Sequence, residues 1–173
     1  MIELNTDRLR IVQLDREIFE LLTCDRAKME SNLGVLNSDY DLDEIFVDIM
    51  KMSLELALNN QDHFQWYVDW QIILKSENKI IGSLGFKGKP NEKSEVEIGY
   101  GINEKYQKYG YMTEAIKSVV KWAIKQNGVN CVIAETERDN IASERVLIKN
   151  NFKTYDAKND CIWWRYPKQI TNP

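Results

Sequence analysis

The chain has 173 residues, 43% of them hydrophobic and 29% charged, with a formal net charge of −4. That is the make-up of a globular protein with room for one hydrophobic core, and it lacks the basic excess usual in nucleic-acid binders. No apolar run is long enough to span a membrane, and none follows Met1-Ile2-Glu3-Leu4-Asn5 to make a secretory signal. Arg8 to Leu14 reads as a first strand and Arg16 to Cys24 as a short helix. Asp41 to Asn59 reads as a longer helix, with Leu42, Ile45, Phe46, Ile49, Met50, Leu56 and Ala57 on or near one face. Trp66 to Leu74 reads as a strand, because Trp66, Val68, Trp70, Ile72 and Leu74 alternate with Tyr67, Asp69 and Gln71. Lys75-Ser76-Glu77-Asn78 turns the chain, and Lys79 to Phe86 returns as the partner strand of a hairpin. Beyond the break at Gly88-Lys89-Pro90-Asn91, Glu95 to Ile102 is a strand that feeds a long helix. Asn130 to Glu135, Asn140 to Asn150 and Cys161 to Tyr166 follow as strand, helix and strand. With no linker, repeat or shift in composition, this order predicts a single α/β domain over residues 1–173, with a mixed, mostly antiparallel sheet and flanking helices.

Cys24, Cys131 and Cys161 are odd in number and far apart, which argues against a disulfide framework and for a reducing cytoplasm. They form no Cys-x-x-Cys pair, and His63 is the only histidine, so no metal site is expected. A Ser-His-Asp hydrolase would rest on His63 alone. Its Gly-x-Ser-x-Gly elbow is missing, since Gly82-Ser83-Leu84-Gly85 has the wrong spacing.

The most informative stretch is Tyr106-Gln107-Lys108-Tyr109-Gly110-Tyr111-Met112-Thr113-Glu114-Ala115, between the strand 95–102 and the long helix. Met112, Ala115, Ile116, Val119, Val120, Ala123 and Ile124 fall on one face at helical period. A strand, a turn with a glycine and a helix N-terminus make a phosphate cradle: first-turn N–H groups lack intrahelical partners, and the helix dipole favours an anion there. Gly110 lets that anion approach the main chain. The same layout is also an ordinary strand–helix junction. A dinucleotide fold would need Gly-x-Gly-x-x-Gly and a P-loop Gly-x-x-x-x-Gly-Lys-Ser/Thr, and neither is present.

Gln107-x-x-Gly110-x-Met112 resembles the acyl-CoA pyrophosphate loop of the GNAT acetyltransferases, Gln/Arg-x-x-Gly-x-Gly/Ala. Asn140-Ile141-Ala142-Ser143-Glu144-Arg145-Val146-Leu147-Ile148-Lys149-Asn150-Asn151-Phe152 is similar to that family's Asn-x-x-Ser-x-Arg-Val-Leu-x-Lys-x-Gly-Phe. The opening Thr6-Asp7-Arg8-Leu9-Arg10 and the strand Glu97-Ile98-Gly99-Tyr100 resemble the RimJ/RimL-like branch, which acetylates ribosomal-protein N-termini. Two residues depart from the pattern. Met112 stands where Gly or Ala is usual and is expected to crowd the loop. Asn151 stands where Gly is usual, a mild change because Asn is the next-best residue for a left-handed helix terminus.

The resemblance implies a GNAT-type domain in which the strands 95–102 and 130–135 splay apart and admit the pantetheine arm of acetyl-CoA. It implies a cofactor site of Tyr100, Gly101, Ile102, Gln107, Lys108, Tyr109, Gly110, Tyr111, Met112, Thr113, Asn140 and Ser143, with N–H groups near 99–102 as donors to the acetyl oxygen. Asn140 also reads as a plain helix N-cap, and Ser143 as a first-turn serine that satisfies the helix end. Lys108 and Lys149 are further candidates to meet phosphate. Trp66, Trp70, Trp163 and Trp164 read as core or interface.

An acetyltransferase must free the lone pair of an amine whose pKa is about 10.4 when it is lysine-like, so it needs a proton acceptor as well as oxyanion donors. Glu97 matches the position of the family's base glutamate, and it also reads as a solvated strand residue. Leu147 occupies the place where many relatives carry a tyrosine acid, which leaves Ser143 or water to protonate the thiolate. Asp39, Asp41, Asp43 and Glu44 would suit a cationic acceptor, but they read more simply as a solvated helix start. The implied function is acetyl transfer from acetyl-CoA to a primary amine, on a peptide N-terminus or a small molecule, in a ternary complex. The alternative is a non-catalytic acyl-CoA-binding module. No nucleic-acid or membrane partner is expected, and a homodimer stays open.

Overall fold

Eight strands form one mixed sheet in the order β1-β2-β3-β4-β5-β6-β8-β7, in a computed structural model that describes residues 1–38 and 42–167. In chain order the elements are β1 (Ile2–Asn5), β2 (Leu9–Gln13), α1 (Arg16–Cys24), α2 (Arg26–Asn32), α3 (Glu44–Asn59), β3 (Asp69–Leu74), β4 (Lys79–Phe86), β5 (Glu95–Ile102), α4 (Tyr111–Ile124), β6 (Cys131–Glu137), α5 (Ile141–Lys149), β7 (Lys153–Lys158) and β8 (Cys161–Pro167). Every neighbouring pair is antiparallel except β5 and β6.

That parallel pair is short. It is registered only at Glu95–Cys131, Val96–Val132 and Glu97–Ile133. Beyond Glu97, β5 stays with β4 as far as Ile102, while β6 stays with β8 as far as Glu137. The strands therefore splay, as the family resemblance implied.

The sheet is buried on both faces. On one, α4 packs Met112, Ala115, Ile116, Val119, Val120 and Ala123 against Leu9, Ile11, Trp70, Ile72 and Ile98, joined by Leu147 of α5. On the other, Ile18, Phe19 and Leu22 of α1, Met29 of α2 and Ala57 of α3 cover Val12, Val68, Ile73 and Ile80. Trp66, Trp70 and Trp164 are core residues.

Several elements differ from the sequence reading. β3 begins at Asp69 rather than Trp66, because residues 61–66 wind into a 3-10 stretch closed by Tyr67 N–H donating to the Phe64 carbonyl at 3.1 Å. α3 starts at Glu44, where the Asp43 side chain accepts from Ile45 N–H at 2.8 Å and ends the extended backbone before it. Its apolar residues do not share one buried face. Ile45 is 71% exposed, while Ala57 is fully buried. One row of α3 meets the sheet, and Ile45, Ile49, Met52 and Leu56 form a second row that faces solvent. β1, α2 and β7 carry too little apolar periodicity to be read from sequence. Asp43 and Glu44 serve the helix start as expected, whereas Asp39 and Asp41 lie outside the described residues. Among the described residues no helix is long and apolar enough to cross a membrane, and no His/Cys/Asp/Glu group could hold a metal ion.

Candidate active site

The loop before α4 is built around one backbone feature. Gly110 has φ +82°, and it is the N-cap of α4 with no side chain capping the helix. A Cβ there would be strained and would meet the Arg8 Nη2 at 3.6 Å. Glu114 N–H returns to the Gly110 carbonyl at 3.1 Å, so the N–H groups of Tyr111, Met112 and Thr113 are left for an outside acceptor. Lys108 also holds a positive φ, of 68°. Gln107, Lys108 and Tyr109 are exposed, with the Tyr109 ring stacked on Tyr111. The expectation that Met112 crowds this loop is corrected. Its side chain is 6% exposed and sits in the core beneath α4, because the second helical position turns inward on this amphipathic face.

The opening residues of the chain fix the loop from outside. Arg8 Nη1 donates to the Tyr109 carbonyl at 3.0 Å, Arg8 Nε to Glu114 Oε2 at 2.7 Å, and Thr6 Oγ1 to Glu114 Oε1 at 2.6 Å. The Arg8 guanidinium also lies over the Tyr111 ring. Burial pushes the Glu114 carboxyl up, but the hydrogen bonds from Thr6 and Arg8 and the Arg8 charge outweigh it and hold the group below its ordinary value. Sequence reasoning saw Thr6-Asp7-Arg8 only as a family signature. Its physical role is to clamp α4.

From the loop the site continues into the splay. Glu97 accepts through its carbonyl from Lys87 N–H, and Asn103 N–H donates to the Ile81 carbonyl, so both turn their main chain toward β4. By alternation Ile98, Tyr100 and Ile102 turn theirs toward the gap, and Gly99 and Gly101 toward β4. The gap thus offers the N–H groups of Tyr100 and Ile102, not that of Gly101. On its far side Asn140 caps α5 by accepting from Ser143 N–H at 3.0 Å. The Tyr100 hydroxyl reaches across to Ser143 Oγ at 2.7 Å. Burial pushes the Tyr100 phenol up to about 12, partly opposed by this hydrogen bond, so it stays protonated and able to donate. α5 ends as expected, with Asn151 at φ +63°. Asn150, which sequence reasoning passed over, donates from Nδ2 to the Thr113 carbonyl at 3.2 Å and joins the end of α5 to the start of α4.

The opposite face of β5 looks into a cavity of about 490 Å³ between the sheet and α1–α3. The Glu97 carboxylate is ion-paired with Lys87, whose ammonium also lies 3.8 Å from Glu135 of β6. Asp69 and Gln71 of β3 and Ser83 and Gly85 of β4 line the cavity, as do Gly99 and Gly101 of β5. Sequence reasoning treated Asp69 and Gln71 as the polar half of a strand. They are 5% and 3% exposed, since β3 is covered on both sides.

A family model for the acetyltransferase (GNAT) domain matches residues 8–153. The N-acetyltransferase YjdG of Bacillus subtilis is 29% identical over 167 residues, covering 96% of this chain and 98% of that protein. YnaD of the same bacterium is 31% identical over 98 residues, 54% of this chain and 57% of that one. Among solved structures, the ribosomal-protein-S5-alanine acetyltransferase of Vibrio fischeri superposes with a TM-score of 0.71 at 16% identity over 100% of both chains. A RimL ribosomal L7/L12 α-N-protein acetyltransferase in complex with coenzyme A gives 0.68 at 15% identity, over 96% of this chain and 98% of that one. At such identities the superpositions establish the fold, and the sequence matches carry the family: the chain belongs to the GNAT acetyltransferases.

Proposed function

We propose that the protein transfers the acetyl group of acetyl-CoA to a primary amine that enters from the cavity side of β5. The observation that carries this reading is the β5–β6 splay together with the uncapped N-terminus of α4, which follows β5 in the chain and is tied to the end of α5 by Asn150. The N–H groups of Tyr111, Met112 and Thr113 bind the pyrophosphate, Gly110 lets it approach, and Gln107, Lys108 and Tyr109 border it. Asn140 and Ser143 on α5 flank the pantetheine arm, opposite the main chain of Tyr100 and Ile102. The thioester supplies an acetyl carbon open to attack by an amine nitrogen.

The N–H groups of Tyr100 and Ile102 stabilise the acetyl oxygen as it gains charge. Glu97 accepts the amine proton, directly or through one water, once Lys87 moves aside. A C–N bond forms and the C–S bond breaks; the Tyr100–Ser143 hydroxyl pair donates a hydrogen bond to the departing sulfur, the thiolate takes its proton from water, and Glu97 passes the amine proton to solvent. The free thiols Cys24, Cys131 and Cys161 suit a reducing compartment, and the cytoplasm is the proposed location. Release of free thiol from acetyl-CoA on addition of primary amines tests the reading. Amine-dependent release is expected. Binding of acetyl-CoA with no release for any amine would mark a non-catalytic acyl-CoA module instead.

A further inference from the structure

The cavity that faces β5 holds a buried carboxylate with no cation beside it. Asp69 is 5% exposed, and none of the ion pairs found among the described residues includes it. Gln71 Nε2 donates to its Oδ2 at 2.5 Å. The remaining charged groups that line the cavity are engaged elsewhere: Arg26 with Glu30 at 3.1 Å, Lys87 with Glu97, and Asp43 with the first turn of α3.

The strand register aims this carboxylate at the reaction. Asp69 pairs with Gly85, and Gly85 pairs with Gly99. A Cβ on Gly85 would lie 3.5 Å from Asp69 Oδ1, and one on Gly99 would meet only the Lys87 side chain, at 4.0 Å. With glycine at both places, neither residue of this row puts a side chain of its own between Asp69 and β5. A carboxylate removed from water is costly until a cation or a proton meets it. Burial accordingly holds the Asp69 carboxyl well above its ordinary value, against hydrogen bonds from Ser83, the Trp70 main chain and Gln71. The opposite wall is apolar, made by Leu22, Leu42, Phe46, Met50 and Tyr67.

We propose that the acceptor carries a single primary ammonium on an apolar body, that Asp69 receives this ammonium as an ion pair before acetylation, and that the apolar wall selects the body. The proposal rests on the acetyltransferase reading above and deepens it. Asp69 is a specificity residue that positions the nitrogen, and Glu97 keeps the proton-accepting role. Two sources share the chemistry: a free alkylamine or arylalkylamine, and a peptide N-terminus whose first side chain is apolar.

The test measures thiol release by the parent, Asp69→Asn and Phe46→Ser. The acceptors are hexylamine, phenethylamine, tripeptides that begin with Leu or Phe, spermidine, and a tripeptide that begins with Ser. Apolar acceptors should exceed spermidine and the Ser peptide at least about tenfold in kcat/KM, and the free amines and the peptides separate the two sources. Asp69→Asn should raise the KM of the favoured acceptor at least about tenfold, change kcat less, and leave the KM of acetyl-CoA in place. Phe46→Ser should narrow the preference. Should Asp69→Asn fail to fold, the parent alone decides: hexylguanidinium should compete with the amine and 1-hexanol should not. An unchanged amine KM in folded Asp69→Asn, a preference for spermidine or the Ser peptide, or equal inhibition by hexanol would overturn the proposal while leaving acetyl transfer standing. An absence of thiol release with every acceptor would overturn the underlying reading, and this inference with it.

Discussion

Two carboxylates, Glu97 and Asp69, lie on one sheet face, and their surroundings tell them apart. Glu97 stands at the last residue where β5 still pairs with β6, with Lys87 beside it. Glu97→Gln keeps the shape and cannot accept a proton. The change should lower kcat/KM by about 10² to 10⁴ near pH 7. The deficit should shrink as pH nears the pKa of the amine, because the acceptor then arrives already deprotonated. Equal pH–rate profiles for mutant and parent would assign the proton to another group. Asp69 leaves a mark on stability. The unfolded chain loses this proton near the ordinary value of 3.8, whereas the folded chain keeps it to a higher pH. Across that window the native state binds more protons than the unfolded one, so stability falls as pH rises through it. Asp69→Asn removes that slope. In denaturant titrations from about pH 4 to pH 8, the variant should gain on the parent as pH rises and level off above the folded pKa. Parallel curves would show that Asp69 ionises freely in the native protein.

At the scale of elements, α4 does two jobs with neighbouring residues. Its first turn offers N–H groups outward while Met112 anchors it inward. Met112→Ala should therefore cost about 2 to 5 kcal/mol of stability by opening a core cavity. The affinity of the folded protein for CoA should stay close to the parent's, since the Met112 main chain is unchanged. Loss of CoA binding at intact stability would return the side chain to the loop. α4 and the β5 strand before it were legible in the sequence because a long amphipathic period and one glycine mark them without help from neighbours. The Asn151 terminus was legible for the same local reason. β7 was not: Lys153, Thr154, Tyr155, Lys158 and Ala157 are exposed, and the strand exists through its pairing with β8. The exposed row of α3 could not be foretold either, since its apolar residues carry no sign of which ones meet the sheet.

For the whole molecule, sheet topology assembles a site from segments far apart in sequence. The clamp of Thr6 and Arg8 on Glu114 spans more than a hundred residues, and the Tyr100–Ser143 contact spans 43. Asp69 becomes notable only once Gly85 and Gly99 are its neighbours across the sheet, a relation that linear spacing does not display. In the proposed mechanism the Gly110 turn and the α4 N-terminus hold the pyrophosphate of acetyl-CoA at the mouth of the splay. The direct measurement is thermal unfolding of the parent and Gly110→Val with and without CoA. A ligand at a hundredfold its Kd adds about 2.7 kcal/mol to a protein that binds it. The parent should show that gain as a higher Tm. Gly110→Val should start lower, because a branched residue is strained at positive φ, and should gain nothing from CoA. An equal CoA-induced rise in the two proteins would contradict the claim.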